Sequence, residues 1–272
     1  MNRVGKMALR LSLARMKTSH QLPQFDWYDL AHALLSPTSL WHTDKLVRPL
    51  EGGFDGIIPF DTPIGVCAFR KSLPGALGAF VLEQMMHTYE HDAVVVKKDD
   101  IVVDWGAHVG TFSRYAFLQG AQTVIAFEPE PEHLRCLQLG FQKELDQGRM
   151  YVIPAAAWNT DTVVRFHSQL WMSRVSPDGE LEVAARSLDS VVEELKLSRI
   201  DFIKADIEGA ERNALQGACE AIRRFHPRMA ICTYHLPDDP GVIPRIVKAT
   251  YPYNVAFNIS HDQVFFYPAS CN

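Results

Sequence analysis

The run Ile101–Ala116, IVVDWGAHVGTFSRYA, constrains this chain more than any other stretch. Ile101, Val102 and Val103 are β-branched and end at Asp104, Gly106 and Gly110 follow at a spacing of four, and Thr111 to Gln119 reads as a helix. A strand, a tight glycine turn and a helix open a βαβ unit, and such a turn lets backbone N–H groups and a helix N-terminus approach a ligand. Gly106, Ala107, His108 and Gly110 are the candidate contacts. A dinucleotide fingerprint would read G-x-G-x-x-G after the strand. The order here is D-x-G-x-x-x-G, with an acid in place of the first glycine. That argues against a pyrophosphate and suits a ligand with a cationic ammonium group.

The next strand, Thr123 to Phe127, ends in Glu128-Pro129-Glu130. Glu128 lies 24 residues beyond Asp104. An acid at about this distance, at the end of the second strand, accepts ribose hydroxyls. Taken singly, Asp104 reads equally as a turn former and Glu128 as a cap for the helix opening at Pro131. Two acids that each end a strand of one βαβ unit favour a nucleoside cofactor. S-adenosylmethionine has an amino-acid end, an adenosine and no phosphate, and it is the expected cofactor.

Composition bounds the remaining choices. With 272 residues, 47% of them hydrophobic, the chain builds one large domain or one domain with a small appendage. A net charge of −5 gives neither nucleic acid nor an anionic membrane an attractive surface. The five cysteines, Cys67, Cys136, Cys219, Cys232 and Cys271, show no C-x-x-C spacing and read as reduced thiols in the cytoplasm. No apolar run reaches the roughly 20 residues of a membrane span. Arg3, Lys6, Arg10, Arg15 and Lys17 make a basic N-terminal arm, with Met7, Leu11 and Met16 on one helical face. It reads as a disordered or docking arm in preference to a transit peptide or surface anchor.

Periodicity orders the rest. Asp26 to Leu35 is a short helix, and apolar runs around Asp61-Thr62-Pro63 form a hairpin. Residues 1–73 make an N-terminal arm and cap, and residues 74–272 the main domain. The spacing predicts helices over Gly75 to Glu90, Pro131 to Leu145, Ser187 to Lys196 and Glu208 to Phe225. Strands are predicted at Tyr151 to Ile153, Asp201 to Asp206 and Met229 to Thr233, and Asp238 to Ala249 is helix or loop. Asn254 to Phe257 and Val264 to Tyr267 close the sheet as an antiparallel hairpin. Thr162 to Ser168 and Glu180 to Ala185 form an added hairpin, whose Leu170-Trp171-Met172 segment would rim the active site. The alternation argues for a mainly parallel sheet with helices on both faces.

The segments DWGAHVGTFS, AFEPEPEHLRCLQ, SLDSVV and IDFIKADIEGAERNALQGA resemble the FkbM-type S-adenosylmethionine-dependent methyltransferases from about Val81 onward. Trp105 and His108 depart from the small or aliphatic residue and the Asn that the resemblance leads one to expect. The resemblance implies a Rossmann-like class I methyltransferase fold of seven strands. It also implies O-methylation of a small molecule or a sugar. In this fold the turn after the third strand touches adenine, which places Ala156 and Trp158 near the base; Trp158 either stacks there or packs under the neighbouring hairpin.

Ligands of open α/β sheets lie outside the carboxyl ends of the strands. Asp104, Glu128, Asp206 and His235 fall at or near such ends. Lys204 and Asp206, two apart on one strand, point to one face, and Lys204 is expected to pair with Asp206, Glu208 or substrate. Glu208 and Glu211 open the next helix, where capping is the plainer role. Asp206 or His235 is the candidate general base, with Lys204 and Glu208 beside them. The spacing of Asp206, Glu208 and His235 matches no recognised ligand pattern, so no metal is assigned. Two alternatives stand beside the methyltransferase reading: a catalytically inactive binding protein of this fold, and an NAD(P)-dependent oxidoreductase. The sequence does not specify an oligomeric state.

Overall fold

The computed structural model describes residues 43–168, 173–258 and 260–269. The basic arm, the helix expected at Asp26 to Leu35 and the Leu170-Trp171-Met172 segment lie outside the described residues. After a 3-10 turn at Thr43–Leu46, β1 (Arg48–Pro49), β2 (Ile57–Asp61) and β3 (Cys67–Arg70) pair as an antiparallel meander, with the expected hairpin as β2–β3. Helix α1 (Pro74–Met85) follows. It stops short of Glu90 because the His87 N–H turns back onto the Gln84 carbonyl three residues earlier and His87 takes a left-handed φ of 56°.

The first half of the central sheet comprises β4 (Ile101–Trp105), α2 (Thr111–Leu118), β5 (Thr123–Phe127), α3 (Pro131–Gly140), α4 (Gln142–Asp146) and β6 (Met150–Ile153). An excursion of β7 (Ala156–Ala157), β8 (Thr162–His167), β9 (Arg174–Val175) and β10 (Leu181–Arg186) forms a separate four-stranded sheet. The second half comprises α5 (Leu188–Glu194), β11 (Phe202–Ala205), α6 (Glu211–Gln216), α7 (Cys219–Phe225), β12 (Arg228–Cys232), α8 (Asp239–Thr250), β13 (Tyr253–Phe257) and β14 (Gln263–Pro268). The central order is β13-β14-β12-β11-β4-β5-β6, and β14 runs antiparallel to both its neighbours. The halves meet between β4 and β11, the switch point where α/β sheets bind ligands.

Alternation along the strands divides the core. Val102, Ala126, Phe202 and Ala230 join Phe112, Leu137 and Phe141 on one face, and the same cluster takes in Ile57, Phe60 and Phe69 of the small meander. Val103, Ile125, Phe127, Ile203 and Ile231 pack on the other face with Val191, Leu215, Ile222 and Ile243. Trp105 is fully buried on this second face, so its bulk serves packing.

Two helices expected to be continuous are broken, each by a tertiary approach. Between α6 and α7, a Cβ on Gly217 would lie 2.0 Å from the Trp158 carbonyl oxygen, and the Gly217 carbonyl accepts the Asp189 N–H. Between α3 and α4, Phe141 leaves helical geometry at φ −117° to enter the core, and the Gly140 carbonyl accepts from Arg114. Glu208 is also outside the helix expected to begin with it: it adopts a φ of 53°, and α6 starts at Glu211.

Candidate active site

Residues of β4 and β11 fix the base of the site. Asp104 and Lys204 are register partners across the parallel pair, and Lys204 Nζ lies 3.1 Å from Asp104 Oδ1. The same ammonium donates to the carbonyls of Gly106, at 2.7 Å, and Trp105, at 3.3 Å. Asp104 is completely buried, and Ser113 Oγ donates to its other oxygen at 2.7 Å. Burial pulls the Lys204 pKa down, but the charges of Asp104 and Asp206 outweigh it and the net shift is upward. Two sequence expectations are corrected here. Lys204 pairs with Asp104, not with Asp206 or Glu208. Asp104 does not line the cavity, because the Lys204 ammonium already occupies it.

The turn above is shaped by close approaches. A Cβ on Gly106 would sit 2.1 Å from the Asp206 carbonyl oxygen, and the Gly106 and Ala107 N–H groups both donate to the Phe127 carbonyl. A Cβ on Gly110 would sit 2.4 Å from the Phe141 ring, so this glycine serves packing and does not line the cavity. His108 holds a φ of 53°, a conformation that costs a side-chain-bearing residue about 1–2 kcal/mol. Its ring packs 4.7 Å from Phe80 and 4.2 Å from His133.

The cavity runs along this edge. Gly106, Ala107, His108, Glu128, Pro129, Ala156, Lys204, Asp206 and Glu208 line it, among the expected residues. Trp158 and His235 do not: the Trp158 backbone pairs with Arg186 at the excursion sheet, and His235 lies behind Asp206 and Glu208. Phe166, Ser173, Arg174 and Val175 of the excursion contribute a wall.

At one end, Glu128 Oε2 accepts the His108 N–H at 2.7 Å and Oε1 accepts the Glu130 N–H at 2.9 Å. His133 Nδ1 lies 3.3 Å from Oε1. Burial lowers the His133 pKa, and Glu128, Glu130 and Glu132 more than reverse it.

At the other end, Asp206 accepts the Tyr89 hydroxyl at 2.6 Å and the Tyr234 hydroxyl at 2.9 Å. Burial raises its pKa, but Lys204 and these phenols pull it below the usual carboxylate range. Glu83 of α1 lines the cavity beside it, and burial reinforced by the Asp206 charge pushes this carboxyl up to about 7. Glu208 is likewise raised by burial. His133, Glu83, Tyr89 and Tyr234 are site residues that the sequence patterns did not single out for chemistry; Glu83 and Tyr89 fall within the stretch predicted as a helix over Gly75 to Glu90, where nothing else marks them.

A family model described as the methyltransferase FkbM domain matches residues 104–253, more than half of the chain, from the buried Asp104 to the start of β13. The chain belongs to the FkbM methyltransferase family. Its sheet is accordingly the Rossmann-like sheet of a class I methyltransferase. Methyltransferase sdnD of Sordaria araneosa is 24% identical over 204 residues, covering 61% of this chain and 78% of that protein. The AMB antimetabolite synthetase AmbE of Pseudomonas aeruginosa is 26% identical over 175 residues, covering 49% of this chain but only 8% of AmbE. The crystal structure of Methyltransferase FkbM from Methylobacillus flagellatus aligns with a TM-score of 0.49 at 22% identity, over 73% of this chain and 56% of that one. No helix among the described residues is long and apolar enough to cross a membrane.

Proposed function

We propose that this methyltransferase moves a methyl group from S-adenosylmethionine to a hydroxyl oxygen of a small molecule or a sugar. The observation that carries the reading is the single cavity lined by both Glu128 and the Glu83, Asp206 and Glu208 carboxyls. The residues fit the cofactor. A carboxylate offers about four lone-pair sites. Glu128 commits two of them to backbone N–H groups and keeps capacity for ribose hydroxyls. Pro129 and the small Ala156 leave room for a flat base, and the acids at the opposite end favour a cationic group. When bound, S-adenosylmethionine supplies an electrophilic methyl on a sulfonium.

The chain's own work is positioning and proton removal. An aliphatic hydroxyl holds its proton tightly, so a base must take it as the new bond forms. A catalytic base works best with a pKa near the operating pH. That favours Glu83, at about 7, over Asp206, whose pKa is lowered and whose two oxygens are held by phenols. Asp206 then orients the phenols and the acceptor, with Glu208 beside it.

Calorimetric titration of S-adenosylmethionine and S-adenosylhomocysteine tests the cofactor. Wild type should bind both, and Glu128→Ala should weaken binding by about 1.5–3 kcal/mol, the range for hydrogen bonds to a charged group. Absence of binding to wild type discards the reading. Transfer of labelled methyl to a panel of hydroxylated acceptors tests the reaction, and binding without transfer to any of them supports the inactive binding protein instead.

A further inference from the structure

At the Asp206 end lies a group of ligating atoms of which the proposed methyl transfer uses Asp206 and leaves Glu211 and His235 without a role. We propose that Asp206, Glu211 and His235 bind a divalent metal cation. Each offers one ligand atom, and the three atoms lie within 4.8 Å of one another. Asp206 follows β11, Glu211 opens α6 and His235 follows β12, so two neighbouring strand ends and one helical turn deliver them. Glu208 Oε2, 3.5 Å from His235 Nε2, is a further oxygen donor within reach.

Burial singles this cluster out. Glu211 is fully buried; its Oε1 accepts the Ile207 N–H at 2.9 Å, and its Oε2 has no hydrogen-bond partner. The His235 side chain is 6% exposed. Its Nδ1 is 2.9 Å from Glu211 Oε1 and its Nε2 is 3.5 Å from Asp206 Oδ1, yet neither contact has hydrogen-bond geometry. A buried acceptor without a donor costs about 1–3 kcal/mol, and more when charged. One imidazolium has only two N–H groups to offer the carboxylates of residues 206, 208 and 211. A cation answers all of them at once. Asp206 retains lone pairs for it, because each phenol occupies one of about four sites. One imidazole nitrogen with two or three carboxylate oxygens suits a hard to borderline ion such as Mn²⁺. Asp206 and Glu208 also line the cavity while Glu211 and His235 do not, so the ion would sit against the acceptor end of the cavity.

The site needs no methyl donor and is tested separately from the reaction. Mn²⁺ is titrated into the chelator-treated full chain, with free Mn²⁺ read by electron paramagnetic resonance. One ion per chain is expected in wild type. Glu211→Gln and His235→Gln should each weaken binding by at least the roughly 10–100-fold that loss of a supporting partner costs at metal sites. Glu193→Gln, on the exposed side of α5, should leave binding unchanged. Mn²⁺ should raise the Tm of wild type but not of the two site variants, as expected for an ion bound only by the folded state. No saturable binding by wild type, or binding that both site substitutions leave intact, overturns the proposal. S-adenosylhomocysteine affinity measured on the same samples separates the two readings. Binding of the nucleoside without Mn²⁺ removes the metal alone, and Mn²⁺ binding without the nucleoside supports the metal site while removing the cofactor assignment.

Discussion

The two ends of the cavity are built differently. At the Glu128 end, Glu130 and His133 are within five residues of Glu128 and His108 is 20 away, and two of the three contacts to the carboxylate are backbone N–H groups. At the Asp206 end, every hydrogen bond to the carboxylate comes from a side chain. Tyr89 is 117 residues away and Tyr234 is 28 residues away. Backbone donors are present whatever the neighbouring side chains are, so the first end is a property of the turn. The second exists only when the turn after α1 and the β12 end dock correctly. A family can therefore keep one end while varying the other, which is the division expected if the first end holds a common cofactor and the second meets a variable acceptor.

The ion pair beneath both ends should give the largest effect. Lys204→Met strands the fully buried Asp104 carboxylate, and removing one partner of a buried pair costs about 3–5 kcal/mol. Urea unfolding measures it, and adding Asp104→Asn should recover part of the loss. A cost below about 1.5 kcal/mol would show that Asp104 is not charged in the folded chain, and the shared base would drop out of the comparison.

Glu83→Gln sharpens the contrast, because it touches one end only. Loss of a general base should slow methyl transfer about 10²-fold or more while S-adenosylhomocysteine affinity holds. The carboxylate is the proton-accepting form, so the wild-type rate should rise with pH through about 7, and the variant should lack that limb. Stability runs the opposite way. Folding raises this pKa from 4.5 to about 7, so Glu83 contributes stability below pH 4.5 that is lost as pH climbs through 7. Thermal melts should therefore show the variant gaining on wild type between pH 4 and pH 8. An unchanged rate profile would return the base to Asp206.

Gly106→Ala should disturb both ends together. The added methyl meets the Asp206 carbonyl, and the residue has a φ of 77°. Overpacking costs about 1–3 kcal/mol and the left-handed backbone about 1–2 kcal/mol. Nucleoside affinity and transfer rate should both fall, whereas either falling alone would show the ends to be mechanically independent.

This difference in construction also governs what the sequence reveals. The strand, turn and helix from Ile101 and the acid at Glu128 are legible because local periodicity and a short separation define them. Lys204 is legible as a lysine in a strand, but its partner is not. Asp206 is nearer in sequence, while Asp104 is 100 residues away and becomes a neighbour only through the β4–β11 register. Glu83 lies in a helix whose only visible pattern is its apolar face, and Tyr89 follows in the turn where that pattern predicts the helix to continue. The breaks at Phe141 and Gly217 arise where other elements come close, so helical spacing alone runs through both. Glu211 reads as a helix-opening acid, and α6 does begin there, but its carboxylate accepts the Ile207 N–H ahead of that helix, and its convergence with His235 depends on two strand ends meeting.

The finest comparison lies within the Asp206 end. Tyr89→Phe and Tyr234→Phe each delete one hydroxyl donated to the same carboxylate, but Tyr89 is 4% exposed and Tyr234 is 52% exposed. Water can replace the Tyr234 hydroxyl, so its removal should change stability by no more than about 0.5 kcal/mol. Removal of the Tyr89 hydroxyl leaves Asp206 Oδ2 without a donor in a buried setting and should cost about 1–3 kcal/mol. Paired urea titrations read the difference directly. Nucleoside affinity should stay level in both variants, because neither phenol touches Glu128. Equal costs would mean that water reaches both oxygens of Asp206, and the advantage of Glu83 as the base would then rest on its raised pKa alone.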